Sequence, residues 1–161
     1  PPLPMSPILL DLVGHMRWAD TIVADALAST PRQADRTKVA DPVSVFAHVA
    51  ATEHLWYSRI RGTPTELAVW PELSVAESRA IAVRHADLFD EIVAGGGDVL
   101  DQIVSYRNSA GRDFRNSVRD IVVHVKMHGS YHRGQIARLV RASGGEPPYT
   151  DYIQYKRLDQ V

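Results

Sequence analysis

An all-α four-helix bundle with one long crossover between its third and fourth helices is the fold this sequence predicts. Three observations lead there. Four stretches carry apolar residues at a helical period, each opening on a capping residue and closing on glycine or at a proline. Strand-like alternation is confined to the span between the third and fourth of them, from Val99 to Asn116. The chain has 161 residues, within the ~100–200 of one domain, and is long enough to bury a core without disulfide staples. A single domain over residues 5–161 is expected. Residues 1–4 precede the first methionine, Met5, and read as a processed start or an expression remnant.

Helix one opens on Ser6-Pro7, a hydroxyl cap followed by a proline whose missing N–H is harmless in the first turn. Ile8, Leu9, Leu12, Val13, Met16, Ile22, Val23, Ala26 and Leu27 then keep the period until Thr30-Pro31. Asp41-Pro42 repeats the signal for helix two, whose stripe Val45, Phe46, Val49, Leu55, Trp56 and Ile60 runs to Gly62. Ser74 and Glu77 form a capping-box pattern for helix three, which ends at Gly95-Gly96-Gly97. The crossover carries Ile103, Val104 and Tyr106, a turn signal at Asn108-Ser109-Ala110-Gly111, and Phe114, which together predict a short hairpin. Ser117, with Asp120 three residues on, caps helix four, which runs to Gly144-Gly145. In the tail, Tyr149, Tyr152, Ile153 and Tyr155 are expected to pack on the bundle or on a second subunit.

Composition removes several function classes. Without cysteine, any metal must be held by nitrogen and oxygen ligands. Eighteen basic and nineteen acidic residues leave a net charge of −1 with no basic stripe, which argues against a nucleic-acid partner. Apolar runs are broken by charge well short of the ~20 residues of a membrane span. A soluble cytoplasmic protein is expected, with no membrane partner. The patterns GxSxG, GxGxxG and HExxH are all missing; Gly129 stands where the last would need its glutamate.

The histidines carry the chemistry. Three of seven, His124, His128 and His132, lie four residues apart on helix four. A four-residue step turns a helix by roughly 400°, so they project from nearly one face. Two such imidazoles can grip a metal ion, although i,i+4 histidines alone are more often structural. A catalytic site takes a third ligand from elsewhere. His48 is the choice, sitting on helix two among Phe46, Ala47, Val49 and Ala50, where a lone imidazole would be a poor core residue. His54, six residues on and about 240° round the helix, cannot share that face and reads as solvated or as packing. Spacing leaves open whether His124 and His128 or His128 and His132 complete the site. Gly134 favours the second pair if it marks a close approach of backbone to ligand or neighbouring helix.

HVAATEHLW, HGSYHRGQ, EPPYTDYIQY and HMRWAD together resemble the DinB/YfiT-like family of metal-dependent enzymes, over nearly the whole chain. The resemblance implies a four-helix bundle binding a divalent metal, zinc or nickel, through His48, His128 and His132, with His124 one turn earlier and not a ligand. It further implies a hydrolase, an isomerase or an S-transferase acting on a small molecule, with a low-molecular-weight thiol such as bacillithiol or mycothiol as cosubstrate, and a homodimer. The rival reading is a non-catalytic metal-binding stress-response module.

The surrounding residues have blander expectations. Arg133 is expected to pair with Asp20 or Glu53, or less readily to hold a substrate carboxylate. Gln135 is expected to orient a metal ligand by a hydrogen bond. His15 reads as an ordinary half-buried histidine and His85 as exposed, while Trp18, Trp56 and Trp70 read as core or pocket wall. Glu53 and Tyr131 are weak candidates for a general base.

Overall fold

The structure is a computed structural model that describes residues 7–31 and 41–160. The expected cap at Ser6 and the segment before it lie outside the described residues. Helix α1 spans Pro7–Ser29 and stops as the Thr30 hydroxyl turns back to donate to the Ala26 carbonyl at 2.6 Å. Helix α2 spans Pro42–Arg61, where the Asp41 carboxylate accepts from the Val43 N–H and Gly62, at φ 65°, closes the C-terminus. Only glycine adopts that left-handed cap without a Cβ penalty. Helix α3, Val75–Ala94, begins with the expected capping box, Ser74 and Glu77 each serving the other's backbone N–H.

The crossover contains a four-residue helix that periodicity did not predict, α4 over Gly97–Leu100, which places Leu100 in the core. Strands β1 (Ile103–Arg107) and β2 (Asp113–Ser117) then form the expected hairpin, with Tyr106 opposite Phe114. Asn108 holds its turn by accepting from the backbone of Ala110 and Arg112. Helix α5, Val118–Ala142, starts at a second capping box, Ser117 with Asp120, and ends two residues short of Gly144. The tail adds α6, Tyr152–Tyr155, and a 3-10 turn over Leu158–Gln160.

Helix α1 packs against α3 and α5, and α2 packs against the same two, so the four long helices close a ring. Their apolar faces form two separate clusters. One joins Leu9, Val13 and Met16 to Phe89, Leu100 and Val118–Val125; the other joins Val23 and Leu27 to Phe46, Val49 and Ile136–Val140. Each buried Phe, Leu or Val contributes ~1.5–3 kcal/mol. Between the clusters, at mid-height, α1 supplies Asp20, α2 supplies Glu53, and α5 supplies Lys126 and Arg133, all buried. The candidate site opens at this polar level.

The tail packs on α1 of its own chain. Tyr152 and Tyr155 set their rings against His15, whose Nε2–H donates to the Thr150 carbonyl at 2.7 Å. A Cβ on Gly14 would lie 2.4 Å from the Tyr155 hydroxyl, so a side chain there would displace the tail. Tyr149 and Ile153 remain exposed.

Candidate metal centre

His48 from α2 and His128 and His132 from α5 converge, with one nitrogen of each lying within 4.8 Å of the others. The Nε2 atoms of His48 and His128 stand 3.2 Å apart. Two nitrogens each ~2.0–2.1 Å from a tetrahedral zinc would stand about 3.3 Å apart, so this pair fits an ion without rearrangement. The outer hydrogen bonds agree. His48 Nδ1 faces the Val69 carbonyl at 2.7 Å, and a carbonyl only accepts, so Nδ1 carries the proton and Nε2 keeps its lone pair. His132 Nδ1 likewise faces the Gln135 side-chain oxygen at 2.8 Å, as expected of Gln135.

Burial, reinforced by the neighbouring histidines, lowers His128 to about 4, and burial also lowers His48. Both are therefore neutral, and competent as donors, at pH 7. Among the described residues the cluster comprises these three side chains. His124 is exposed and packs edge-on against Trp56, its ring 5.9 Å from that of His128. Trp70, half-exposed, lies flat on His48 with ring centroids 3.9 Å apart. Its role as wall was expected; its stacking on a triad member and the Val69 carbonyl beside it were not. The sole hint was an apolar pair, Val69-Trp70, inside a Pro-bounded loop.

Behind the triad, Arg133 donates to Asp20 at 2.8 Å, the two side chains being 1% and 2% exposed. Its other arm reaches the Ser130 hydroxyl, which also accepts from Lys126 at 2.7 Å. Burial, aided by the Arg133 charge, brings Lys126 down to about 8. Glu53 does not serve as the general base. It is fully buried, and desolvation together with the Asp20 carboxylate pushes its carboxyl well up, so it holds its proton. Tyr131 is 66% exposed beside His132, facing solvent rather than the convergence point.

Two other expectations are corrected. His85 is buried, not exposed, because it falls with Ala82 and Phe89 on the inner face of α3. Its neutral tautomer is fixed by a chain of bonds: the Glu66 N–H to His54 Nε2, His54 Nδ1 to His85 Nε2, and His85 Nδ1 to the Ile81 carbonyl. His54 is thus a packing residue. His15, expected to be half-buried, is 1% exposed.

Gly134 marks no close approach, since a Cβ there would meet nothing within 4 Å, whereas one on Gly129 would lie 2.8 Å from Arg133 Nη1. Gly134→Ala is therefore expected to stabilise the protein by ~1 kcal/mol through helix propensity. Gly129→Ala is expected to cost about 1–3 kcal/mol, because the guanidinium it displaces is buried and paired. Urea denaturation of both variants decides the matter; stabilisation by Gly129→Ala would show that the Arg133 pair yields freely.

No helix among the described residues is long and apolar enough to cross a membrane. Protein DinB of Bacillus subtilis (strain 168) is 22% identical over 163 residues, covering 94% of this chain and 95% of that protein. The DinB family model matches residues 5–160, a span that holds all three convergent histidines and the polar layer behind them. On that match, the chain belongs to the DinB family.

Proposed function

We propose that this protein is a divalent-metal-dependent enzyme acting on a small molecule, with His48, His128 and His132 holding the ion. The observation that carries the reading is the convergence of three imidazoles, two of them fixed in tautomer by Val69 and Gln135. Three protein ligands are the number typical of catalytic sites, whereas structural zinc is closed by four. A divalent ion supplies Lewis acidity, which polarises a substrate group or acidifies water or a thiol. The chain's own residues orient the imidazoles and shield one side of the site with Trp70. The reaction we propose is hydrolysis or S-transfer from a low-molecular-weight thiol, with zinc or nickel as the native metal and the cytoplasm as the location.

We also propose a homodimer. Val123, Met127 and Tyr131 form an exposed apolar stripe along α5 at four-residue spacing, with Met127 64% exposed. A second copy would cover it.

The test is elemental analysis of protein purified without an affinity tag, wild type beside His128→Ala/His132→Ala. About one equivalent of metal in the wild type, lost in the variant, is expected for a three-ligand site. Negligible metal in both after incubation with zinc, nickel and manganese would refute the site. Metal bound without turnover in hydrolysis and thiol-transfer screens would favour a non-catalytic metal-binding stress-response module.

A further inference from the structure

Arg59 sits on α2 one turn from Trp56, and among the described residues its charge is unmatched. Its guanidinium carbon sits 4.4 Å from the Trp56 ring centroid and 4.6 Å from that of Tyr106. Among the described residues its side chain makes one hydrogen bond, to the Arg107 carbonyl at 3.3 Å. None of the ion pairs among the described residues includes it. The nearby carboxylate on the hairpin, Asp113, is taken by Arg107 at 2.8 Å. Burial lowers the Arg59 pKa, as it does for a cation losing water without gaining a counter-charge. Such a group is held in place by stacking while most of its donors stay free, and a planar fork of donors matches a carboxylate.

Its position gives this a use. Trp56 touches both Arg59 and His124, the latter with ring centroids 5.0 Å apart, and the His124 ring is 5.9 Å from that of His128. His124, which stands between Trp56 and His128, is exposed. The four residues from His124 to His128 rise about 6 Å along α5. A small molecule reacting at the triad and extending past His124 and along Trp56 would bring its far end to Arg59.

We propose that Arg59 anchors a carboxylate on the substrate of the histidine triad, selecting extended small molecules whose anionic end lies beyond His124 and Trp56 from the reacting group. This rests on the metal-site reading above and adds to it a substrate class and a specificity-determining residue.

Calorimetric titration of the zinc-loaded protein with two probe series tests it: alkyl hydroxamates ending in methyl, and hydroxamates of increasing chain length ending in carboxylate. At the best length, the carboxylate is expected to tighten binding by about tenfold or more, as a charge-assisted hydrogen bond does. Arg59→Gln should abolish that gain and leave the methyl-ended probe's affinity unchanged, which also shows that the variant folds. Arg59→Lys should recover part of it. Equal affinity for the two series in wild type, or a gain that survives in Arg59→Gln, overturns the anchor while the metal site stands. Protein that takes up no zinc overturns the metal-site reading and the anchor with it, and zinc-loaded protein that binds neither series overturns the open coordination position and the anchor that depends on it.

Discussion

Replacing Asp20 by Asn and Glu53 by Gln together is expected to cost about 3–5 kcal/mol of stability, the penalty for leaving a buried guanidinium without a counter-charge. Arg133 and Asp20 meet at 2.8 Å with 1% and 2% exposure, so water cannot compensate the loss. The single variants should behave very differently from the pair. As carboxylates, Glu53 and Asp20 both only accept, and both Glu53 oxygens and Asp20 Oδ2 are buried without a donor. A proton on Glu53 supplies one. Glu53→Gln keeps a neutral donor there and is expected to be nearly neutral at pH 7. Asp20→Asn removes the charge that helps hold Glu53 protonated, so Glu53 ionises and partners Arg133 in its place. Its cost should therefore fall well below that of the double variant, a coupling that a guanidinium-denaturation cycle would resolve. A double variant within about 0.5 kcal/mol of wild type would remove this account of the polar layer.

The same proton sets a pH dependence. The folded pKa of Glu53 is raised above its unfolded value, so its stabilising effect is fully present below the unfolded pKa and is lost as pH rises through the folded one. Above ~4.3 the unfolded chain releases a proton that the native state retains. Wild type should accordingly lose stability relative to Glu53→Gln as pH rises from there, by at most ~1.4 kcal/mol per unit.

Local rules made the helices legible in the sequence. Asp41-Pro42, Ser74 with Glu77, and Ser117 with Asp120 each satisfy orphan N–H groups within a few residues, and each start lies where they place it. The convergence of His48 with α5 histidines was partly legible, because helical angle sets His54 aside and four-residue spacing aligns the α5 histidines, while the choice of His128 and His132 came from the family resemblance. What spacing could not give was the environment. The loop that brings Val69 and Trp70 onto His48 follows no period, and α4 is a single turn without a stripe. Gly134 was misread for a related reason: whether a missing Cβ matters depends on which side chain from another turn fills the space, and that is Arg133 beside Gly129 rather than a ligand beside Gly134. His85 was read as exposed, whereas its ring is buried with a histidine on another helix and a backbone carbonyl as partners, neither of which its own helix's spacing reveals.

Zinc at a thousandfold excess over its dissociation constant is expected to raise the wild-type stability by ~4 kcal/mol, through binding the folded state alone. The unfolded chain holds His48 and His128 eighty residues apart, so it offers no comparable site. His128→Ala/His132→Ala should show none of this stabilisation, and a chelator should reverse it in wild type. Gln135→Leu tests the outer hydrogen bond separately: the His132 ring keeps its lone pair but loses the acceptor that orients it, and affinity should weaken about 10–100-fold with the fold intact. Acid should act late at His128. Because burial and neighbouring histidines hold His128 near 4, protons compete for its lone pair well below the range in which an ordinary histidine titrates. A zinc-induced rise in stability that survives loss of both α5 histidines would place the ion elsewhere, and Gln135→Leu with unaltered affinity would mean that His132 is oriented by packing rather than by its amide partner.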